Sequence, residues 1–106
     1  MIKEIENTFV NQYKAKIVNT CIKHDVNTLY LFGSHATNKN KSNSDVDLLV
    51  RFNEDLKGNY FDNYFDFQFE LEDITGKKID IITENTLKNK YLIDSINKSK
   101  ILVYAK

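Results

Sequence analysis

Apolar side chains at Ile2, Ile5, Phe9, Tyr13, Ile17 and Cys21 recur every three or four residues, with Val10, Val18 and Ile22 beside them. That spacing predicts a long amphipathic helix over Ile2–Ile22. His24-Asp25-Val26-Asn27 ends it, and the β-branched and aromatic run Thr28–Phe32, stopped by Gly33, predicts a strand. Ser34–Ser44 is polar and reads as a short helix followed by a loop rich in lysine and asparagine, after which Asp45–Phe52 predicts a second strand. Over 59–75 one stripe runs Tyr60, Tyr64, Phe67, Leu71, Ile74 and a second runs Phe61, Phe65, Phe69, which predicts a helix with Gly76 as its C-terminal cap. Lys78–Thr83 predicts a third strand, Asn85–Asn97 a further helix and Ile101–Tyr104 a short closing strand. The alternation predicts an α+β fold (an α/β sandwich), a small mixed sheet covered by helices.

Composition narrows the function classes. A chain of 106 residues with 42% apolar and 28% charged residues predicts one globular domain over 1–106 with one core. No apolar run reaches membrane-spanning length, and the amino terminus alternates charged and apolar residues where a secretory leader has a continuous apolar stretch. The single Cys21 allows neither an internal disulfide nor a cysteine metal cluster, so the expectation is a cytoplasmic protein. Fifteen basic residues balance fifteen acidic ones, which argues against direct nucleic-acid binding through a broad positive field. The balance is global and not local: residues 53–75 hold seven acidic side chains against Lys57 alone, which predicts one acidic surface.

Three groups of residues carry chemistry. On a strand, Asp45 and Asp47 project to one face while Val46, Leu48 and Val50 project to the other. Two carboxylates so placed repel unless a cation lies between them, and oxygen donors of this kind suit Mg²⁺ or Mn²⁺. The plainer alternative is a solvated strand end. Asp80 interrupts the apolar run Ile79–Ile82, where an aspartate is costly to desolvate unless paired or coordinated. It either joins Asp45 and Asp47 from a neighbouring strand or pairs with Lys77 or Lys78. Gly33-Ser34 stands at a strand-to-helix turn, where glycine permits close approach to the backbone and helix-start N–H groups attract phosphate. The same pair also reads as an ordinary helix cap.

Gly33-Ser34 followed by Asp45-Val46-Asp47-Leu48-Leu49-Val50 resembles the signature of the DNA polymerase beta nucleotidyltransferase superfamily, and the chain length resembles its minimal nucleotidyltransferase (MNT) branch. The resemblance implies a polymerase beta-like nucleotidyltransferase fold in which Gly33 and Ser34 bind a nucleotide triphosphate, with ATP as donor. It implies that Asp45 and Asp47 hold two Mg²⁺ ions and that Asp80 completes the catalytic and metal-binding triad. Family members often continue the Gly-Ser turn with Ala-Arg-Gly, whereas this chain has His35-Ala36-Thr37-Asn38. Lys39 and Lys41 supply positive charge in the adjoining loop under this reading, or are simply solvated. His35 either donates to a phosphate or lies on the surface of the short helix. MNT proteins are paired with HEPN proteins, small helical RNases, so the resemblance implies an antitoxin that transfers AMP to a tyrosine of a HEPN toxin. Two alternatives stay open at this point: a nucleotidyltransferase acting on an aminoglycoside-like small molecule, and an antitoxin that acts by binding alone. A homo-oligomer is compatible with either. The 59–75 helix, with two aromatic stripes and many acids, reads as core on both stripes or as a partner surface on one.

Overall fold

The structure, a computed structural model, describes residues 7–41 and 43–106. Helix α1 spans Thr8–Lys23; the part of the predicted helix before Asn7 lies outside the described residues. Asn7 caps it, its side-chain oxygen accepting from the Val10 N–H at 3.0 Å. The chain reverses at Asp25, in the left-handed region at φ 59. Strand β1 then begins earlier than its sequence suggests and runs Val26–Phe32. A bulge between Val26 and Thr28 changes the alternation, so Val26 faces the same core as Leu29 and Leu31.

Among the described residues of the 34–44 segment, no helix forms. Residues 34–38 make consecutive turns, closed by Ala36 N–H donating to Gly33 O at 3.1 Å and Lys39 N–H donating to Ser34 O at 2.9 Å. Asn38, at φ 57, is incompatible with continuing a right-handed helix. Strand β2 is Val46–Phe52, helix α2 is Tyr60–Thr75 and strand β3 is Ile79–Thr83. Gly76 ends α2 at φ 66 with its N–H on Glu72 O, as its position predicts. The last predicted helix divides into a 3₁₀ turn, Glu84–Thr86, and helix α3, Lys90–Ser99. Strand β4, Ile101–Ala105, closes the fold.

The sheet order is β3-β2-β1-β4, with β2 and β3 parallel and the other pairs antiparallel. It is the mixed sheet of the predicted α+β class. Helices α1 and α2 cover one face. Phe9, Ile17 and Cys21 of α1 and Phe67 and Leu71 of α2 meet Leu29, Leu31, Val46, Leu48, Val50, Ile79, Ile81 and Val103 there. The opposite face carries a smaller cluster in which Ile96 of α3 packs with Phe32 and Leu49. Because α3 covers only part of that face, the beginning of β2 and of β3 stays open, and the chemistry-bearing residues lie there.

Edge strand β3 is held from outside by one face of α2. Tyr64 Oη donates to Ile81 O at 2.8 Å, Gln68 Nε2 donates to Ile79 O at 2.7 Å, and Glu72 Oε2 accepts from Ile79 N–H at 3.1 Å. Tyr64, Gln68 and Glu72 follow at spacings of four, so one helical row satisfies the edge of a strand that would otherwise offer unpaired backbone groups.

Candidate active site

Asp47 and Asp80 are register partners on the parallel pair β2–β3. Adjacent strands lie about 4.8 Å apart, so both side chains rise from neighbouring points on the open face. Strand β2 begins one residue later than expected, so Asp45 stands just before it, close enough for its charge to act on Asp47. The bonds from Gln68 and Tyr64 to Ile79 O and Ile81 O fix β3 on both sides of Asp80.

On the other side of Asp47 lies β1, where Phe32 is its register partner and Gly33 follows. Gly33 adopts φ +77, and a Cβ there would overlap Asp47 Oδ2 and come within 3.2 Å of Asp47 Cγ. Two independent constraints therefore demand glycine: a left-handed backbone and a carboxylate lying against its Cα. The sequence shows the first as a strand-ending glycine and leaves the second invisible.

The acids feel one another. Burial pushes the Asp47 carboxyl above its usual value, and the negative charges of Asp80 and Asp45 push it further, while His35 opposes them. Asp80 itself is exposed. The expectation of a costly buried carboxylate at Asp80 is thus corrected: the flanking Ile79 and Ile81 face the helices, but Asp80 faces the uncovered side. Lys78 does not pair with it and instead brings Nζ to 4.0 Å from Asp45 Oδ2, an exposed contact of small energetic weight.

The turn after Gly33 is anchored from α1. Asn7 Nδ2 donates to His35 O at 2.6 Å and to Ala36 O at 3.2 Å, while its oxygen caps α1, so one buried amide ties the helix start to the turn. Thr8 N–H adds a bond to Asn38 Oδ1 at 3.2 Å. His35 is buried, at 2% exposure, and not on a surface as one sequence reading has it. Its ring packs on Phe9 with centroids 5.4 Å apart, and Nε2 stands 3.3 Å from Ser44 O. His35 thereby links the turn to the residue preceding Asp45. Sequence reasoning misses Asn7 because its partners lie 28 and 29 residues away.

Ser34 sits half-buried at the turn. Lys39 and Lys41 are exposed on the loop leading to Asp45, and their main-chain N–H groups bond Ser34 O and Ser44 Oγ, each at 2.9 Å. What the fold uses of these lysines is backbone.

Among the described residues, no three His, Cys, Asp or Glu side chains stand together at metal-ligating distance. Asp45, Asp47 and Asp80 are neighbours across the sheet rather than a closed cage. In kind they fit a divalent cation: all donors are carboxylate oxygens, two come from paired strand positions, and their mutual repulsion already raises the Asp47 carboxyl. A cavity of about 640 Å³ lies at the other end of the sheet, lined among others by Asn27, Arg51, Asn53 and Lys106, away from these acids.

Glycine turn, paired strand acids and mixed sheet define a nucleotidyltransferase. The Polymerase beta, Nucleotidyltransferase family matches residues 15–106, and the chain belongs to it. Relatives from Methanocaldococcus jannaschii are named as candidate protein adenylyltransferases. One is 35% identical over 92 residues, covering 83% of this chain and 96% of its own. Another is 37% identical over 83 residues, covering 76% and 80%. Among solved structures, a candidate minimal nucleotidyltransferase superposes with a TM-score of 0.73 at 23% identity, over 94% of this chain and 98% of its own. A chain from a toxin–antitoxin crystal structure with AMP-PNP gives 0.69 at 17% identity, over 88% and 73%. A chain from the complex of tri-AMPylated Shewanella oneidensis HEPN toxin with MNT antitoxin gives 0.64 at 14% identity, over 92% and 73%. At these identities the solved structures establish a shared fold. No helix among the described residues is long and apolar enough to cross a membrane.

Proposed function

We propose that this chain is a cytoplasmic protein adenylyltransferase that transfers AMP from ATP to a tyrosine hydroxyl of a HEPN-type toxin, and so serves as the antitoxin of the pair. The observation that carries the reading is that Asp47 and Asp80 are register partners on β2 and β3, with Gly33, just past the end of β1, lying against the Asp47 carboxylate and Asp45 two residues before it. Relatives named as candidate protein adenylyltransferases support a protein acceptor. Neighbours that contain AMP-PNP, or an AMPylated HEPN toxin with its MNT antitoxin, support ATP and the HEPN partner.

Asp45, Asp47 and Asp80 would hold two Mg²⁺ ions, or Mn²⁺, which when bound neutralise phosphate charge and acidify the attacking hydroxyl. The chain's own residues do the rest. Gly33, lacking a side chain, lets the triphosphate reach the main chain of the turn, where the Ser34 hydroxyl adds a donor. Lys39 and Lys41 add positive charge from the loop. Asp80, the exposed carboxylate, takes the proton of the tyrosine hydroxyl. The tyrosine oxygen bonds to the α-phosphorus as the bond from that phosphorus to its bridging oxygen breaks, and pyrophosphate leaves with the electron pair.

Incubation of a HEPN partner with labelled ATP, Mg²⁺ and this protein tests the reading. The expected result is an adenylate-sized mass increase on a partner tyrosine that disappears with Asp45→Asn or Asp47→Asn. Equal labelling by those variants would remove the mechanism. A second reading, neutralisation by contact alone, is favoured by one observation: His35-Ala36-Thr37-Asn38 stands where the family's Arg-Gly commonly follows. Under it, the partner is silenced with no gain in mass.

A further inference from the structure

The two aromatic stripes of α2 have different fates. In the first, Phe67 and Leu71 are fully buried, Tyr64 and Ile74 half-buried and Tyr60 exposed, whereas in the second Phe61, Phe65 and Phe69 are 70%, 47% and 60% exposed. These three phenyl groups follow at spacings of four and form one continuous apolar ridge along the helix, with Phe65 and Phe69 stacked at 6.3 Å between centroids. A shallow apolar groove of about 250 Å³, lined by Tyr60, Phe61, Tyr64, Phe65, Thr83 and Thr86, runs beside the ridge. Three adjacent exposed phenyl groups on one helix are more than the scattered apolar exposure of an ordinary surface.

Charge says what covers the ridge. Helix α2 contains Asp62, Asp66, Glu70, Glu72 and Asp73 and neither lysine nor arginine. At 100° per residue, the exposed Asp62, Asp66 and Asp73 form a row flanking the phenyl ridge on the side away from β3. A second copy packed antiparallel on this ridge would set that row against its own equivalent. A helix with an apolar seam and a basic flank would fill the groove and neutralise the row. We propose that the outer face of α2 is a docking surface for a basic amphipathic helix of a partner protein. The surface adjoins the strand that carries Asp80, since Tyr64, at the groove, bonds to Ile81 O. Docking is measured without nucleotide, so it stands or falls separately from the transferase reading.

The probe is a fluorescently labelled synthetic helical peptide with leucine at heptad a and d positions and lysine elsewhere, followed by anisotropy. The lysine peptide binds the unmodified protein, and its glutamate counterpart does not. Phe61→Ser/Phe65→Ser/Phe69→Ser weakens binding by at least about tenfold. Asp62→Asn/Asp66→Asn/Asp73→Asn weakens it and flattens its dependence on salt. Thermal melts accompany each variant, and the single Phe61→Ser, at the most exposed of the three phenyl groups, serves if the triple variant does not fold. Lysine-peptide binding that is indifferent to the phenylalanine substitutions overturns the proposal. So does a concentration-dependent dimer of the unmodified protein that the same substitutions dissolve, which would make a second copy the occupant.

Discussion

Replacing Gly33 with alanine probes the site through its most constrained backbone position. The new methyl group must occupy a left-handed conformation, which costs about 1–2 kcal/mol for a non-glycine residue. It also overlaps the Asp47 carboxylate. Because the overlapping group is the end of a side chain, Asp47 yields by turning away from its rotamer, at about 0.5–1.5 kcal/mol. Together these cost about 1.5–3.5 kcal/mol, a loss that urea unfolding at neutral pH resolves. The functional effect is larger than the loss of stability suggests. Asp47 recedes by about an ångström, and displacement on that scale costs about 10²-fold in rate. A double-mutant cycle separates the two terms: in an Asp47→Ala background the overlap disappears and only the backbone cost of about 1–2 kcal/mol remains. Gly33→Ala with unchanged stability and unchanged nucleotidyl transfer would refute the close approach of turn and carboxylate.

Asp47→Asn should raise the melting temperature at pH 7 in chelator while abolishing transfer. Burial and the charges of Asp80 and Asp45 raise the Asp47 carboxyl in the folded state, so its favourable contribution is full below its unfolded pKa and is lost as pH rises through the folded one. The advantage of the variant therefore shrinks on acidification, and a variant equally destabilised at every pH contradicts the electrostatic account. Glu70 behaves in the opposite sense. Its bond to His24 and its contact with Lys23 hold its carboxyl below the usual value of 4.5, so stability present above that value is lost as pH falls through the folded pKa. Melts from neutral to acid pH should show Glu70→Gln less stable than the unmodified protein at neutrality and the two converging in acid. Cys21, fully buried with its thiol pushed up to about 12, should resist a maleimide reagent in the native protein and react in denaturant; rapid native labelling would place it elsewhere.

Helix α2 and its Gly76 cap are legible in the sequence because periodicity and a left-handed glycine are local signals. The strands were legible for the same reason, and the register that sets Asp47 beside Asp80 is compatible with them without being dictated by them. Ser34–Ser44, a polar segment, reads as a short helix followed by a loop, yet residues 34–38 form turns. They do so because Asn7 supplies bonds to His35 O and Ala36 O, and Asn38 turns left-handed. Burial of His35 depends on Phe9, far along the chain, and so leaves no trace in local polarity. In α2, polarity misleads in another way. Tyr64 looks like part of an apolar stripe, yet its hydroxyl joins Gln68 and Glu72 in bonding the edge of β3. Which aromatic stripe faced the core could not be read from spacing, since both repeat every three or four residues.

Paramagnetic broadening of backbone amide signals by Mn²⁺ with a non-hydrolysable ATP analogue tests the central assignment most directly. The account predicts that Gly33, Ser34, Asp45, Asp47 and Asp80 broaden together and first. Broadening centred instead on the larger cavity around Asn27, Arg51 and Lys106 would contradict it.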